Sequence, residues 1–294
     1  MNNISRHAKL LSELGLLYSA ALWGATFFIV KDVLREVDPI VLVGYRFILA
    51  ATLLGGVCLV AKKPLLKNIR HGLLTGFILW LLYVSQTAGL NITTASNSGF
   101  ITGLFVAFVP IYSFALTKRR PTLMEIIATI VSLFGLWMLT GGLKDINIGD
   151  LLTIIAAATY ALHILILDKY MNEGDDPYLL SFQQFLFVGT ISLLIGVISG
   201  LNFSLVETQT MGVIFFLAFF PTLSAFVIQV VAQKITKPLQ VSLILALEPV
   251  FAGLFAWTLG NEPIIIHRAI GGLFIVIGMI SSGIPQRHNS QARE

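Results

Sequence analysis

The sequence carries little charge for its length. Only 12% of its 294 residues are Asp, Glu, Lys or Arg, whereas an ordinary soluble domain has about 25%. So few charged side chains cannot cover the surface of a protein in water. Hydrophobic residues make up 56% of the chain, and the mean hydropathy is +0.87. The composition therefore excludes an ordinary soluble protein and indicates a membrane protein.

Cysteine is almost absent, and so are the common motifs of catalysis. Cys58 is the only cysteine and lies in an apolar run, which excludes an intrachain disulfide and argues against a thiolate metal site. The chain has no G-x-x-x-x-G-K-S/T loop for ATP, no H-E-x-x-H motif and no C-x-x-C pair. We therefore expect no cofactor, no metal and no ATP-driven pump.

Long apolar runs are what the sequence has in abundance. Runs of about 20 apolar residues match the roughly 30 Å hydrocarbon core of a bilayer, and they are continuous rather than alternating, which excludes the strands of a membrane barrel. A signal peptide at the first run is a weaker alternative, because no cleavage site is clear and the run has a partner later in the chain. We predict an all-α integral membrane protein with ten transmembrane helices, at about residues 14–33, 40–61, 72–91, 95–116, 122–140, 149–168, 178–200, 210–231, 239–259 and 267–284.

Lys and Arg are distributed unevenly over the predicted loops. If the N-terminus is cytoplasmic, 14 of the 19 bases lie inside, and four lie outside, namely Lys31, Arg35, Lys144 and Arg268. Basic residues concentrate on the cytoplasmic side of membrane proteins. We therefore predict a plasma-membrane protein whose tails, residues 1–13 and 285–294, are both cytoplasmic. The same loops explain the net charge of +4, so a nucleic-acid partner is not expected.

The chain also repeats itself. Residues 23–27 align with 160–164, residues 38–42 with 176–180, and residues 91–95 with 234–238, at offsets of 137, 138 and 143 residues. This indicates two five-helix repeats, at 14–141 and 149–284. An odd number of helices in each repeat forces the second to cross the membrane in the opposite direction. Inverted repeats are common in secondary transporters and place the substrate near the midplane between the halves.

Several of these motifs resemble the drug/metabolite transporter superfamily, EamA type. They are Trp-Gly-Ala-Thr-Phe at 23–27 followed by Lys31-Asp32, then Arg46-Phe47, the run 94–104, Leu247-Glu248-Pro249, and Gly260-Asn261-Glu262. The resemblance covers about residues 14–284 and implies ten helices, cytoplasmic termini and export or exchange of small metabolites. Members handle amino acids, other metabolites or toxic cations, and the resemblance suggests a bacterial plasma membrane. The second half has Tyr160 in place of the tryptophan and Gln184 in place of the arginine, which suggests unequal roles for the halves.

Charged side chains inside the predicted helices are the leading candidates for function. Glu248 lies about halfway along the ninth helix, where a charge costs at least about 2.5–3.5 kcal/mol, so it should face a cavity or a partner. It could carry a proton during transport, or be a protonated carboxyl that bonds a neighbouring helix. Arg46, in the second helix, could attract an anionic substrate group, but an arginine at this depth more often extends to the headgroups or pairs with a carboxylate.

The other candidates have two interpretations each. His163 could relay protons or be a structural group, and Lys31 and Asp32 could form a gate pair or an interfacial ion pair. Pro110 and Pro249 are predicted to interrupt the matched fourth and ninth helices, a feature typical of transport sites. A set of aromatic and polar side chains could line a cavity or only pack between helices, namely Trp23, Trp80, Tyr83, Gln86, Asn97, Ser98, Thr102 and Tyr160.

The sequence thus favours a secondary active transporter of small metabolites, such as amino acids or amphipathic compounds, that works by alternating access with possible proton coupling. We expect the substrate between the halves, bordered by helices one, three, four, six, eight and nine. The expected partners are a small-molecule substrate and the lipid bilayer, and a homodimer is possible. The alternatives are a membrane enzyme acting on lipids and a scaffold. A channel would need rings of charge or a filter sequence, which the chain lacks.

Overall fold

The computed structural model describes residues 6–118, 120–141, 146–204, 208–258 and 265–282. Their regular secondary structure is helical. The helices are α1 Arg6–Val33, α2 Pro39–Val60, α3 Ile69–Ile92, α4 Ala95–Gly103, α5 Phe105–Thr117, α6 Leu123–Thr140, α7 Ile148–Asn172, α8 Pro177–Ile198, α9 Thr208–Leu217, a π-helical segment Ala218–Ser224, α10 Ala225–Ala232, α11 Pro238–Leu245, α12 Glu248–Thr258 and α13 Ile266–Ser282. The motif Gly260-Asn261-Glu262 and the predicted tail at 285–294 lie outside the described residues.

Ten apolar segments cross the fold, as the sequence predicted. Eight are long and apolar enough to span a bilayer, and α6 and α13 are shorter apolar helices. Helices form because hydrocarbon offers no water to satisfy backbone N–H and C=O groups, so each segment must bond internally. Many large apolar side chains are exposed on the outer surface, for example Leu53, Phe77, Ile130 and Trp137. The chain is therefore a multi-pass, all-α membrane protein.

The duplicated Asp-Pro motifs start equivalent helices. The Asp38 carboxylate accepts a hydrogen bond from the Ile40 N–H at 2.8 Å, and Asp176 accepts from the N–H groups of Tyr178 and Leu179 at 2.9 and 3.1 Å. In each case a proline at the first helical position needs no partner for an N–H. The repeat detected in the sequence is thus a repeat of helix-capping chemistry.

Two predicted boundaries need correction. The first helix begins at Arg6 rather than at residue 14, so part of the predicted tail is helical. The helix breaks also lie earlier than their prolines. Pro110 is inside α5, and the fourth segment is interrupted at Leu104 instead. Pro249 is the second residue of α12, where proline is tolerated, and the ninth segment breaks just before it, at residues 246–247.

The breaks in the fourth and ninth segments nevertheless correspond. Leu104 and Ala246 have nearly the same backbone angles, φ −63° and ψ −11° against φ −63° and ψ −7°. Their separation of 142 residues agrees with the repeat offset. Interrupted helices at matching positions are therefore present, as predicted, although the proline positions did not locate them.

The helices form two symmetric bundles. In the first bundle, α1 packs along α10 and α12, and α2 packs on the π-helical segment. In the second bundle, α7 packs along α3, α4 and α5, and α8 packs on α3. The bundles meet mainly where α2 packs against α8, and the α6–α13 pair lies beside them. The first helix of each repeat therefore packs on the third and fourth helices of the other repeat. Each bundle thus contains helices from both repeats, in a symmetric arrangement that fits an inverted repeat.

The loops that join the bundles are tied in equivalent ways on the two faces. On the face that carries the N-terminal end of α1 (the basic face), the Gln183 side chain donates to the Leu65 carbonyl oxygen at 2.8 Å. On the opposite face the Tyr45 hydroxyl donates to the Phe203 carbonyl oxygen at 2.6 Å. Donors and acceptors are each 138 residues apart. The pseudosymmetry therefore extends to individual hydrogen bonds.

Acidic residues after α7 bind the loop after α2 on the basic face. Asp176 forms a salt bridge with Lys63, and Asp175 bonds Asn68 and, at 2.7 Å, the Nδ1 atom of His71. Partial burial raises the pKa of Asp176, but the hydrogen bonds from Lys63 and from the backbone N–H groups of its helix outweigh it and hold that pKa below its ordinary value. Asp176 is therefore ionised at neutral pH and holds the loop after α2 against the start of α8.

Candidate substrate-binding cavity

A narrow cavity of about 40 Å³ lies between the two bundles. Its deepest polar groups are near the middle of their segments, because Glu248 is ten residues from each end of Pro238–Thr258 and Tyr160 is at the centre of α7. From there the cavity extends to Val30 and Leu90, within a turn of the opposite face. The lining residues are Trp23, Thr26, Phe27, Val30, Arg46, Leu82, Tyr83, Gln86, Thr87, Leu90, Thr102, Tyr160, Phe226 and Glu248.

Glu248 is the acidic group of the cavity. It is 6% exposed and begins α12, directly after the break in the ninth segment. Among the described residues none forms a salt bridge or hydrogen bond with its carboxyl group, so this group is free to meet a ligand. The N-terminus of a helix carries a partial positive charge that stabilises an anion. The break therefore places a carboxyl group in the membrane interior, at the first residue of a helix.

Arg46 is the basic group of the cavity. Its Nε and Nη2 atoms donate to the Thr222 hydroxyl oxygen at 3.1 and 3.0 Å, and its guanidinium carbon lies 5.1 Å from the centre of the Tyr83 ring. The side chain is only 3% exposed. The preferred expectation, that it extends to the headgroups or pairs with a carboxylate, is wrong for the described residues. A hydroxyl and an aromatic face hold it in place and leave its charge uncompensated.

The π-helical segment of the eighth membrane segment positions both Arg46 and Trp23. Pro221 has no N–H, which loosens the helix here, and its carbonyl oxygen accepts the indole N–H of Trp23 at 2.7 Å. Thr222, next in sequence, donates its hydroxyl to the Leu217 carbonyl oxygen at 2.7 Å while accepting from Arg46. This segment was not predicted from the sequence, although Pro221 within an apolar run is a signal for a helix irregularity.

Aromatic rings form the wall and floor of the cavity. Trp23 meets Tyr160 edge-on at 6.2 Å between ring centres and packs on Phe226 at 4.9 Å, and Tyr83 lies 5.7 Å from Phe226. The Tyr160 hydroxyl is buried without a hydrogen-bond partner among the described residues. The repeat partners Trp23 and Tyr160 thus face each other across one site.

Several predicted site residues share the cavity and others do not. Tyr83, Gln86 and Thr102 line it, and the Gln86 amide donates to the Thr102 hydroxyl at 3.1 Å. Trp80 is outside it, one turn nearer the basic face, and stacks on Phe77. The second membrane segment also lines the cavity, through Arg46, although it was not among the segments predicted to border the substrate.

Three further candidates lie in the bundle interior rather than on the cavity. His163 bonds the Gln184 amide oxygen through Nε2 at 2.9 Å, and both residues are fully buried. The Asn97 amide lies 3.5 Å from the Asp150 carboxylate, near the start of α7. The hydroxyl of Ser98 is buried with no partner among the described residues. None of these three belongs to the cavity lining.

Lys31 connects the bundles at the cavity end near the opposite face. Its ammonium group donates to the carbonyl oxygens of Leu90, Asn91 and Thr93 at 2.6, 3.0 and 2.9 Å, where α3 ends. A cation is favourable beside the carbonyl groups of a helix C-terminus. The expected pairing with Asp32 is therefore wrong, since Asp32 points to water and pairs with Arg35 at 3.3 Å.

A second inter-bundle contact lies below the cavity, toward the basic face. The Gln233 amide at the end of α10 donates to the Ile164 carbonyl oxygen in α7 at 2.7 Å. Gln233 is the repeat partner of Leu90 at the offset of 143 residues. Lys31 and Gln233 therefore join equivalent helix pairs, α1 with α3 and α7 with α10, on opposite sides of the cavity.

Comparison with known proteins identifies the family and supports the fold. The sequence model of the EamA-like transporter family matches residues 10–141 and 147–283, which correspond to the two halves. A protein of Archaeoglobus fulgidus named an uncharacterized transporter is 30% identical over 274 residues, covering 92% of this chain and 85% of that protein. The uncharacterized transporter YyaM of Bacillus subtilis is 23% identical over 274 residues, covering 88% and 89%. A crystal structure with 15% identity has the same fold, with a TM-score of 0.78 over 95% of this chain and 97% of that one.

Proposed function

This chain belongs to the EamA-like transporter family, and we propose that it is a secondary active exporter or exchanger of small amphipathic zwitterions, with amino acids as the first class to test. It is a membrane transporter by family. The observation that carries the finer assignment is the presence of one free carboxylate, Glu248, and one guanidinium, Arg46, in a single aromatic cavity.

The charges of the cavity favour a ligand that carries both signs. No salt bridge joins Arg46 to Glu248, so each charge gains from a ligand group of the opposite sign. A carboxylate of the ligand can bind Arg46, and an ammonium group can bind Glu248. The aromatic rings of Trp23, Tyr160 and Phe226 suit an apolar portion, and the unpaired Tyr160 hydroxyl offers a further hydrogen bond.

Transport would follow from alternating release of the two inter-bundle contacts. The Lys31 contact holds the bundles together at the opposite face, and the Gln233 contact holds them on the side of the basic face. Releasing one while keeping the other opens the cavity to one face only. The broken fourth and ninth segments, with Glu248 at one break, are the elements where a small change of angle reaches the ligand.

Coupling to protons would use Glu248. Protonation removes the negative charge of the cavity and with it the attraction for an ammonium group, so one proton can replace one bound zwitterion. The sequence lacks an ATP-binding loop, which fits a gradient-driven cycle. From the excess of Lys and Arg on the basic face, we place that face in the cytoplasm of a plasma membrane. A lipid-modifying enzyme or a scaffold would not account for one charge of each sign in a central aromatic cavity.

The test is a thermal-shift screen of the purified protein in detergent, at two pH values, with amino acids, nucleobases and lipophilic cations. A bound ligand raises the melting temperature by mass action. Glu248→Gln and Arg46→Gln each remove one charge from the cavity, and Glu173→Gln is the matched control on an exposed carboxylate. Uptake of the stabilising compound into proteoliposomes then measures transport.

We expect stabilisation by amino acids with large apolar side chains, and loss of it in both cavity variants but not in the control. Stabilisation by lipophilic cations that survives Arg46→Gln would contradict the zwitterion assignment. Stabilisation without uptake at any imposed gradient would contradict transport.

A further inference from the structure

A second, larger groove lies on the lipid-facing surface. It has a volume of about 390 Å³ and lies between α3, α8 and the loop that precedes α3. Its walls are apolar and include Leu65, Leu66, Leu73, Phe182, Leu186 and Ile191. The groove is separate from the central cavity and shares no lining residue with it.

The dimensions of the groove fit one acyl chain. Phe182 and Ile191 are nine residues apart on α8, which is about 13 Å at a rise of about 1.5 Å per residue. Half of the roughly 30 Å hydrocarbon core is about 15 Å, so the groove has the depth of one leaflet. Close packing of α3 on α8 forms its floor, since a Cβ on Gly76 would lie 2.8 Å from the Phe187 Cβ atom.

Basic residues surround the end of the groove at the basic face. Lys62, Lys67 and Arg70 are exposed, and none of them forms a salt bridge with a described carboxylate. The two nearby acids are already occupied, Asp175 by Asn68 and His71 and Asp176 by Lys63. Three uncompensated cations therefore stand where a lipid headgroup would lie.

The loop that joins these two parts is held in a fixed conformation. The Gln183 side chain donates to the carbonyl oxygens of both Leu65 and Lys67 at 2.8 Å. Leu65 and Leu66 thereby face the groove while Lys67 is exposed next to them. This short loop thus presents an apolar surface to a lipid acyl chain and a cation to the headgroup of the same lipid.

We propose that this groove binds an anionic phospholipid, with one acyl chain between α3 and α8 and the phosphate at Lys62, Lys67 and Arg70. Basic pockets at the ends of transmembrane helices are suited to anionic headgroups. A zwitterionic lipid would bind the apolar walls equally well but would leave the excess positive charge uncompensated. The proposal concerns the lipid-facing surface and is independent of the transported substrate.

The experiment measures binding of phosphatidylglycerol and phosphatidylcholine with identical chains to the delipidated full-length protein. Native mass spectrometry counts bound lipids, and thermal shift gives the affinity in neutral detergent. One variant combines Lys62→Gln, Lys67→Gln and Arg70→Gln. The matched control, Lys118→Gln with Arg120→Gln and Lys234→Gln, removes the same charge from exposed positions elsewhere on this face. Leu186→Trp fills the groove without changing charge.

We expect the wild type to prefer phosphatidylglycerol. The groove triple variant should lose about 100-fold in affinity for it, roughly fivefold for each base, and the control triple should stay within about twofold of wild type. Leu186→Trp should weaken both lipids alike. Equal binding of the two lipids by the wild type, or equal losses in the two triple variants, would overturn the proposal. So would equal stabilisation by inorganic phosphate, or a dimer that Leu186→Trp dissociates while no lipid is bound.

Discussion

Replacing Lys31 by methionine removes the three hydrogen bonds that join α1 to the end of α3. A hydrogen bond to a charged group contributes about 1.5–3 kcal/mol. Because Lys31 is only partly buried and water competes for its ammonium group, we take about this amount for all three bonds together. Every 1.4 kcal/mol changes an equilibrium constant tenfold, so the cavity should open to the opposite face about 10- to 100-fold more often.

Cysteine accessibility measures this opening directly. Cys58 is buried and is the only native cysteine, so Cys58→Ala gives a background without reactive thiols. Gln86→Cys then places a thiol in the cavity. Its rate of labelling by a membrane-impermeant maleimide, added from the face of Lys31, should rise about 10- to 100-fold with Lys31→Met, in proportion to the open fraction.

The matched control is Asp32→Asn, which changes the neighbouring exposed residue and breaks only its surface pair with Arg35. Surface pairs contribute about 0–1 kcal/mol, so labelling should change little. An unchanged rate in Lys31→Met would refute the reasoning, because the contact would then not hold the cavity closed. Faster labelling from the basic face as well would point to general loosening rather than to release of one side.

Three further predictions follow from individual contacts. Gln233→Leu should raise labelling of the cavity thiol from the basic face, the reverse of Lys31→Met, because it removes the bond between α10 and α7. Gly135→Leu should lower the free energy of unfolding by about 1–3 kcal/mol, because a Cβ there would lie 2.5 Å from the Gly271 carbonyl oxygen. The melting temperature measures this loss, and Gly56→Leu, at a position with open space around it, is the control. Asp176→Asn should lower the melting temperature at pH 7, and the difference from wild type should shrink as the pH falls through the lowered pKa of Asp176, where the wild-type carboxylate also becomes neutral.

The sequence alone determined the number of helices and their inverted repetition. Hydrocarbon imposes a length and a composition on every spanning segment, so the apolar runs could be read without tertiary information. The Asp38-Pro39 and Asp176-Pro177 caps act within one turn of their own helix. Their duplication could therefore also be recognised from the sequence alone. Glu248 could be singled out because a charge at that depth is costly wherever the helix packs.

Only the tertiary structure decided which polar side chains share a cavity. Tyr83 and Trp80 lie one turn apart on α3, yet only Tyr83 reaches the cavity, because the depth of the aromatic floor depends on helices distant in sequence. Lys31 binds backbone carbonyl oxygens rather than Asp32, and Arg46 binds Thr222 rather than lipid headgroups. In both cases the partner belongs to another membrane segment, so the sequence around Lys31 or Arg46 does not indicate it. The rotation and depth of each helix are set by its neighbours in the bundle. The sequence of a single segment therefore does not predict its rotation or its depth.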